Sequence, residues 1–403
     1  MNVGLIHPYY LPVLGGVEKN LYEIALFISE MGHNVTLITN QINEITINTL
    51  GSEDVKPVPN LPLVEKETNN ITIIRYNLPF ILPYFSFIKK FIRQPLHYSF
   101  YASKIILKIT RLRNLEVLYA AEPPSYIALY LTRYLPNSKF LINTRKIAGI
   151  RSNTYITGYL RRKIAREIYK SFDAVVISNI NTLLYEHIKT ISPRNTLFIP
   201  NWVDTERFKP YNKYEAQRIL GIDGYDKVLL SVSRFVSEKG TMRVVKAFEK
   251  ALKLASNKKI LLVLVGKGPL ENQIRAYIIS KGLNNHIKFM SPFLYTDPRY
   301  PLLYSSCDIF IHLPSHHGLS NVVTEAMAAG VPQIIHSDVP GIPSIVARYL
   351  RKVSFSISEI AEAVVESIEC YDTKKGFEVR NIVEKYFAKK KLLPLFTKIL
   401  LGY

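Results

Sequence analysis

Hydrophobic and polar positions follow two rhythms along this chain, and the pair of rhythms is played twice. The first round opens on an apolar run, Asn2–Tyr10, which predicts a buried strand, and a glycine pair, Gly15–Gly16, follows it. From Val17 to His33 the apolar residues Val17, Leu21, Ile24, Ile28 and Met31 recur at steps of three and four, the spacing of an amphipathic helix. Gly32 supplies its stop, and Asn34–Asn40 predicts the next strand. Strand, glycine turn, helix and strand in that order make a right-handed βαβ unit, the seed of a parallel sheet. Glu116–Glu122, Lys139–Arg145 and Asp173–Ser178 continue it as short buried strands.

The second round restarts the same grammar. Lys227–Arg234 predicts a strand, Glu238–Ala255 a helix, and Lys259–Pro269 a strand that ends in a glycine turn. Asp308–Ser315 and Pro332–Ser337 are further strands, and His312 and His336 within them read as core residues. Two consecutive α/β series predict two Rossmann-like domains facing each other across a cleft. Ile199–Pro210, where proline and polar residues cluster, is the expected hinge. Arg380–Tyr403 reads as a basic amphipathic helix broken at Pro394.

Bulk composition agrees with that division. A chain of 403 residues suits two domains of about 150–200 residues better than one core. A hydrophobic content of 48% with mean hydropathy +0.06 lets most of it pack. No run of about 18 apolar residues suggests a transmembrane helix, and the N-terminus lacks the pattern of a secretory signal. Cys307 and Cys370 are too few for a disulfide framework or a four-cysteine zinc site and fit a reducing, cytoplasmic compartment.

Charge changes the picture more. A formal net charge of +20 implies an anionic partner: nucleic acid, anionic lipid headgroups or phosphorylated substrates. Between Thr68 and Leu115 there is no Asp or Glu, while Arg75, Lys89, Lys90, Arg93, Lys104, Lys108, Arg111 and Arg113 alternate with aromatic residues from Phe80 to Tyr101. This basic aromatic insertion, about 79–113, fits contact with an anionic membrane surface, and equally a partly buried helix with a solvated basic face. Nucleic acid is disfavoured, because no helix-turn-helix, zinc-finger or RNP-type signature is present.

In open α/β sheets ligands bind beyond the carboxyl ends of the strands, where loops enter helix N-termini. Gly15–Gly16 is one such loop; it offers backbone N–H groups to an anion, or is a tight turn only. Arg234 at a strand end and Lys239 at the next helix start give a forked donor and a point charge that suit a pyrophosphate, unless both are solvated surface cations. Gly266 and Gly268 form a third bend, which is not the GxGxxG of a dinucleotide dehydrogenase. Gly318, Leu319, Ser320 and Asn321 lie at a further helix start, and Glu325 follows within that helix. A carboxylate there can accept from a ribose diol, or is merely favoured by the helix dipole. His316 and His317 sit just ahead; adjacent residues of an extended chain point to opposite sides, so they do not make a metal site. No acidic metal-ligand cluster, such as a DxD at a strand end, is evident.

The segments GGVEKNLYEIA, IPNWVDTERFKP, VSRFVSEKG, LVLVGKGPLENQI and PSHHGLSNVVTEAMAAGVP, in this order along nearly the whole chain, resemble the GT4 family of retaining, metal-independent glycosyltransferases with the GT-B fold. The resemblance implies an acceptor-binding domain over 1–204, a nucleotide-sugar-binding domain over 205–382, and a C-terminal helix, 383–403, that packs back on the first domain. It implies that Gly16 approaches the distal phosphate, that Arg234 and Lys239 hold the diphosphate, and that Leu319 and its neighbours donate backbone N–H groups. Glu325 would hold the ribose, with His7, Arg145 and Asn201 near acceptor and sugar. Arg234, Lys239, His317 and Glu325 are then the candidate catalytic residues. Two positions depart from the family. His317 stands where the first of two spaced glutamates is usual, and Arg145 where a histidine is common. They motivate an alternative reading, a catalytically impaired sugar-nucleotide-binding scaffold. The expected partners are a nucleoside-diphosphate sugar (UDP-, GDP- or ADP-linked), a glycan or lipid-linked acceptor, and an anionic membrane surface on the cytoplasmic side.

Overall fold

Two series of short apolar strands form two separate, almost wholly parallel sheets in the structure, a computed structural model that describes residues 1–12, 15–42, 58, 60–77, 96–121, 125–132, 139–144, 166–178, 196–255, 258–315, 318–339, 341–370 and 374–402. Two units result. The first comprises Met1–Ser178, Thr182–Pro200 and Leu393–Tyr403, the second Asn179–Asn181 and Asn201–Leu392.

In the first unit the strands are β1 (Asn2–Ile6), β2 (Asn34–Asn40), β3 (Val64–Lys66), β4 (Ile71–Tyr76), β5 (Val117–Ala121), β6 (Lys139–Thr144), β7 (Ala174–Ile177) and β8 (Thr196–Phe198). Their order is β3-β4-β2-β1-β5-β6-β7-β8, antiparallel only between β3 and β4. β1 lies between β2 and β5, so the chain reverses its direction of growth there. The central strands are buried over almost their whole length, as a parallel sheet covered on both faces requires. Helix α1 (Gly16–Glu30) follows β1 and buries Leu21, Ile24, Ala25 and Ile28. Helices α2 (Leu96–Arg113) and α3 (Ser125–Leu131) flank β5, and Ala102, Ile106 and Ile109 of α2 join the core behind β5 and β7.

The second sheet holds β9 (Lys227–Val232), β10 (Ile260–Val265), β11 (Ile287–Met290), β12 (Ile309–His312), β13 (Gln333–Ser337) and β14 (Arg351–Val353), in the order β11-β10-β9-β12-β13-β14, all parallel. Its helices are α4 (Lys213–Leu220), α5 (Thr241–Leu254), α6 (Glu271–Ser280), α7 (Tyr300–Ser305), α8 (Asn321–Ala328), α9 (Ser344–Ala347), α10 (Ile357–Glu369) and α11 (Lys374–Tyr386); the last helix, α12 (Lys389–Leu401), belongs from Leu393 onward to the first unit. Alternation of side chains with period two splits the sheet between two cores. Val228, Leu230, Leu261 and Val263 pack with Val323, Met327 and Val379 of α8 and α11. Leu229, Leu262 and Leu264 pack with Val244, Phe248, Ile360 and Val364 of α5 and α10. At the base of the sheet the buried Asp308 carboxylate accepts from the Val228 amide at 2.9 Å and from Lys213 Nζ at 2.6 Å.

Three expected elements come out differently. The strand of Asn2–Tyr10 ends at Ile6, because His7 and Tyr9 turn the chain with hydrogen bonds of their own. The helix of Glu238–Ala255 is divided: Ser237–Lys239 is a 3₁₀ turn, Gly240 is left-handed at φ +73°, and α5 begins only at Thr241. The C-terminal helix is not broken at Pro394, which lies inside α12. The interruption lies before it, between α11 and α12, where the Val203 amide donates to the Phe387 carbonyl at 2.9 Å and the Val203 carbonyl accepts from Lys389 at 2.8 Å. Pro394 removes one donor to the Lys390 carbonyl, which a helix already held by packing tolerates. Phe396 of α12 meets Tyr119 of β5 edge-on at 5.4 Å within the first unit.

Candidate functional site

The order of the second sheet fixes where a ligand belongs. After β9 the chain builds β10 and β11 to one side, then returns to β12 on the other, so the crevice between the ends of β9 and β12 is its topological switch point. The two loops that leave there are the ones that carry Arg234 and Lys239, and Gly318 to Asn321.

The loop after β9 is seated by backbone contacts. Ser233 donates to Val265 at 3.0 Å, Phe235 to Lys267 at 2.9 Å, and Leu270 donates back to Phe235 at 3.0 Å. A Cβ on Gly266 would collide with the Ser233 carbonyl, and one on Gly268 would stand 2.5 Å from the Phe235 carbonyl. Both glycines are therefore required by this close packing of loops, whatever else they touch. The buried Phe235 ring anchors the bend against Phe289, leaving Arg234 half-exposed, with Glu238 4.0 Å away.

The end of β12 is riveted to the same loop. Gly240 lies against the Leu313 carbonyl, which accepts from Arg243 Nη2 at 3.0 Å, and both the amide and the hydroxyl of Ser315 reach the Glu238 carbonyl, at 2.8 and 3.2 Å. Lys239 thus sits on a turn held to the loop that leads into α8. At the start of α8, Ser320 is extended, and its hydroxyl shares a hydrogen bond with His312 Nε2 at 3.1 Å. The helix directs its positive end toward this junction. His312 and His336 are buried neighbours, rings 5.5 Å apart, as expected of core residues. His336 Nδ1 donates to the Ser337 carbonyl at 2.7 Å, and burial lowers its pKa.

Glu325 is 1% exposed. Its Oε2 accepts from the hydroxyls of Tyr300 and Tyr304, each at 2.7 Å. These tyrosines lie one turn apart on α7 and so present one face, with Phe208 edge-on to both rings at 5.6 and 5.7 Å. Burial first, and then the Glu325 charge, raises both phenols well above their ordinary range. Sequence reading passed over this pair. The signal was two tyrosines at i and i+4 in YPLLY, but only the fold sets that helix beside Glu325.

In the first unit the corresponding switch point lies between β1 and β5. His7 leaves β1 buried, with Nδ1 2.7 Å from the Tyr9 carbonyl and 3.8 Å from Glu18 Oε1. Gly15 caps α1 in an extended conformation, and the Glu18 carboxylate occupies the space a Cβ there would need. The anion at this helix start is the protein's own. Asn201, buried beside Trp202, opens the second unit. Arg145, His316 and His317 lie outside the described residues, as does 79–95 of the basic insertion. The remainder of the insertion is α2, whose exposed side carries Phe100, Lys104, Lys108, Arg111 and Leu112. Among the described residues no group of three or more His, Cys, Asp or Glu could hold a metal, and no helix is long and apolar enough to cross a membrane.

Known proteins share this fold. The family model described as Glycosyl transferases group 1 matches residues 212–386, which span the second sheet. The chain is 22% identical to the alpha-monoglucosyldiacylglycerol synthase of Acholeplasma laidlawii over 84% of this chain and 81% of that one. It is 23% identical to the N-acetyl-alpha-D-glucosaminyl L-malate synthase of Bacillus anthracis over 96% and 94%. Among solved structures, Anabaena HepE in complex with UDP and glucose superposes with a TM-score of 0.70 at 15% identity, covering 100% of this chain and 99% of that one.

Proposed function

The chain is a group 1 glycosyltransferase with the GT-B fold, and on that premise we propose that it moves a hexosyl group from a nucleoside-diphosphate sugar to a glycan or lipid-linked acceptor, with retention and without a metal ion. The observation that carries the donor half is the β9/β12 junction, where the loop of Arg234 and Lys239 is fastened to the loop entering α8. In the proposed chemistry the bond between the sugar's anomeric carbon and the diphosphate oxygen breaks, and the acceptor oxygen attacks the same face. The leaving phosphate takes the acceptor's proton. Arg234, Lys239 and the start of α8, with Leu319 and Asn321, stabilise the charge that develops on the diphosphate. Glu325 takes the ribose. At Gly15–Gly16 the Glu18 carboxylate already stands at the helix start, where a second anion would be repelled.

UDP is the first donor nucleotide to try, since HepE is seen with UDP and glucose, and a lipid-linked acceptor follows the name of the Acholeplasma relative. His317 and Arg145 are the residues proposed to act on the transferred sugar and the acceptor. The exposed basic side of α2 suits a peripheral position on the cytoplasmic face of an anionic membrane. The test is transfer or hydrolysis with a panel of UDP-, GDP- and ADP-sugars, with and without EDTA, and the product anomer read by NMR. Turnover that survives EDTA and retains the donor configuration is expected. Nucleotide binding with no turnover from any donor would instead favour the scaffold reading that His317 motivates.

A further inference from the structure

The residue that begins α8 has the backbone of a helix cap but does not use its side chain as one. Ser320 is extended, at φ −90° and ψ 159°, and its hydroxyl makes no capping bond to the helix. Its carbonyl already accepts the Val323 and Thr324 amides, at 3.1 and 3.2 Å. In that conformation a serine hydroxyl ordinarily accepts from an amide two or three residues into the helix, here that of Val322 or Val323. The hydroxyl meets His312 Nε2 instead, at 3.1 Å. His312 does not depend on Ser320 for its place. It is 2% exposed, stacks on Phe310 at 6.3 Å with the ring planes 17° apart, and stands beside His336, its register partner on β13. A ring fixed by the core therefore holds the hydroxyl aside from the positive end of α8, where Leu319 to Val322 are partly exposed.

We propose that His312 is a positioning residue for the donor: by drawing the Ser320 hydroxyl aside, it keeps the first amides of α8 for the diphosphate and forgoes the stability a capping hydroxyl would add to the helix. The proposal rests on the reading of the β9/β12 junction as the diphosphate site. With an apolar side chain at position 312, rotation about one bond brings the hydroxyl onto the Val322 amide, and an incoming phosphate has to displace it. A histidine that served packing alone would be indifferent to whether residue 320 carries a hydroxyl.

The test is calorimetric binding of UDP and GDP to the full chain, to His312→Leu, and to the double variant His312→Leu, Ser320→Ala. His312→Leu should lower affinity for the tighter nucleotide about fivefold, the equivalent of one N-cap hydroxyl. Removing the hydroxyl in that background should raise affinity again by about threefold or more. If His312→Leu does not fold, His312→Phe, which keeps a ring against Phe310, takes its place in both variants. Unchanged affinity in the position-312 variant, or a loss that Ser320→Ala does not relieve, overturns the positioning role and leaves the diphosphate site standing. No binding of either nucleotide by the intact chain overturns both.

Discussion

The carbonyl oxygen of Leu313 lies where a Cβ on Gly240 would have to stand. One contact between two loops thereby explains why the chain needs glycine after Lys239, and the left-handed φ of +73° is a second reason. Gly240→Ala should lower stability by about 2 kcal/mol or more, combining backbone strain with displacement of the β12 loop. A shift in the urea midpoint checks this, and nucleotide affinity should fall with it, because Lys239 and the entry to α8 share the disturbed junction. An unchanged midpoint would show that the junction is looser than it looks.

Much of this architecture was legible before any coordinates. Apolar runs at Lys227–Arg234 and Lys259–Pro269 and the steps of three and four in Val17–His33 are local signals, and β9, β10 and α1 follow them closely. What stayed hidden depends on contacts distant in sequence. Gly240 divides a continuous helical pattern because of Leu313, more than 70 residues on, and Pro394 is tolerated because α12 is already packed. Gly266 and Gly268 read as a phosphate loop, yet the Ser233 and Phe235 carbonyls account for both. The partners of Glu325 were invisible because α7 carries no amphipathic period long enough to notice.

Acid should weaken the second unit through His336. Burial lowers its folded pKa, aided by Lys352 and opposed by the bond to Ser337 and by Asp338, whereas in the unfolded chain it titrates near 6.5. Below about pH 6.5 the unfolded state therefore binds the extra proton, and stability falls with decreasing pH toward the folded value. The slope approaches 1.4 kcal/mol per pH unit for one group. Chemical denaturation between pH 7.5 and 5 should reveal it, and His336→Leu should remove that part of the slope. Equal slopes in both proteins would exclude His336 as its source.

The exposed side of α2 can be tested apart from catalysis. Replacing Lys104, Lys108 and Arg111 together by alanine should weaken binding to phosphatidylserine vesicles by roughly 100-fold, at about 1 kcal/mol for each basic residue. Circular dichroism should remain unchanged, since none of the three lies in the core. Vesicle flotation identical to that of the intact chain would leave α2 as a solvated basic face. A duplex-DNA arm with a steep salt dependence would point to nucleic acid instead.

The diphosphate site proposed at the β9/β12 junction is tested most directly by isothermal titration of UDP and GDP into the intact chain, Arg234→Ala and Lys239→Ala. Binding of at least one nucleotide by the intact chain is expected, with a loss of about tenfold to 100-fold in affinity for each variant and unaltered melting temperatures without ligand. Nucleotide affinity unchanged in both variants would contradict it.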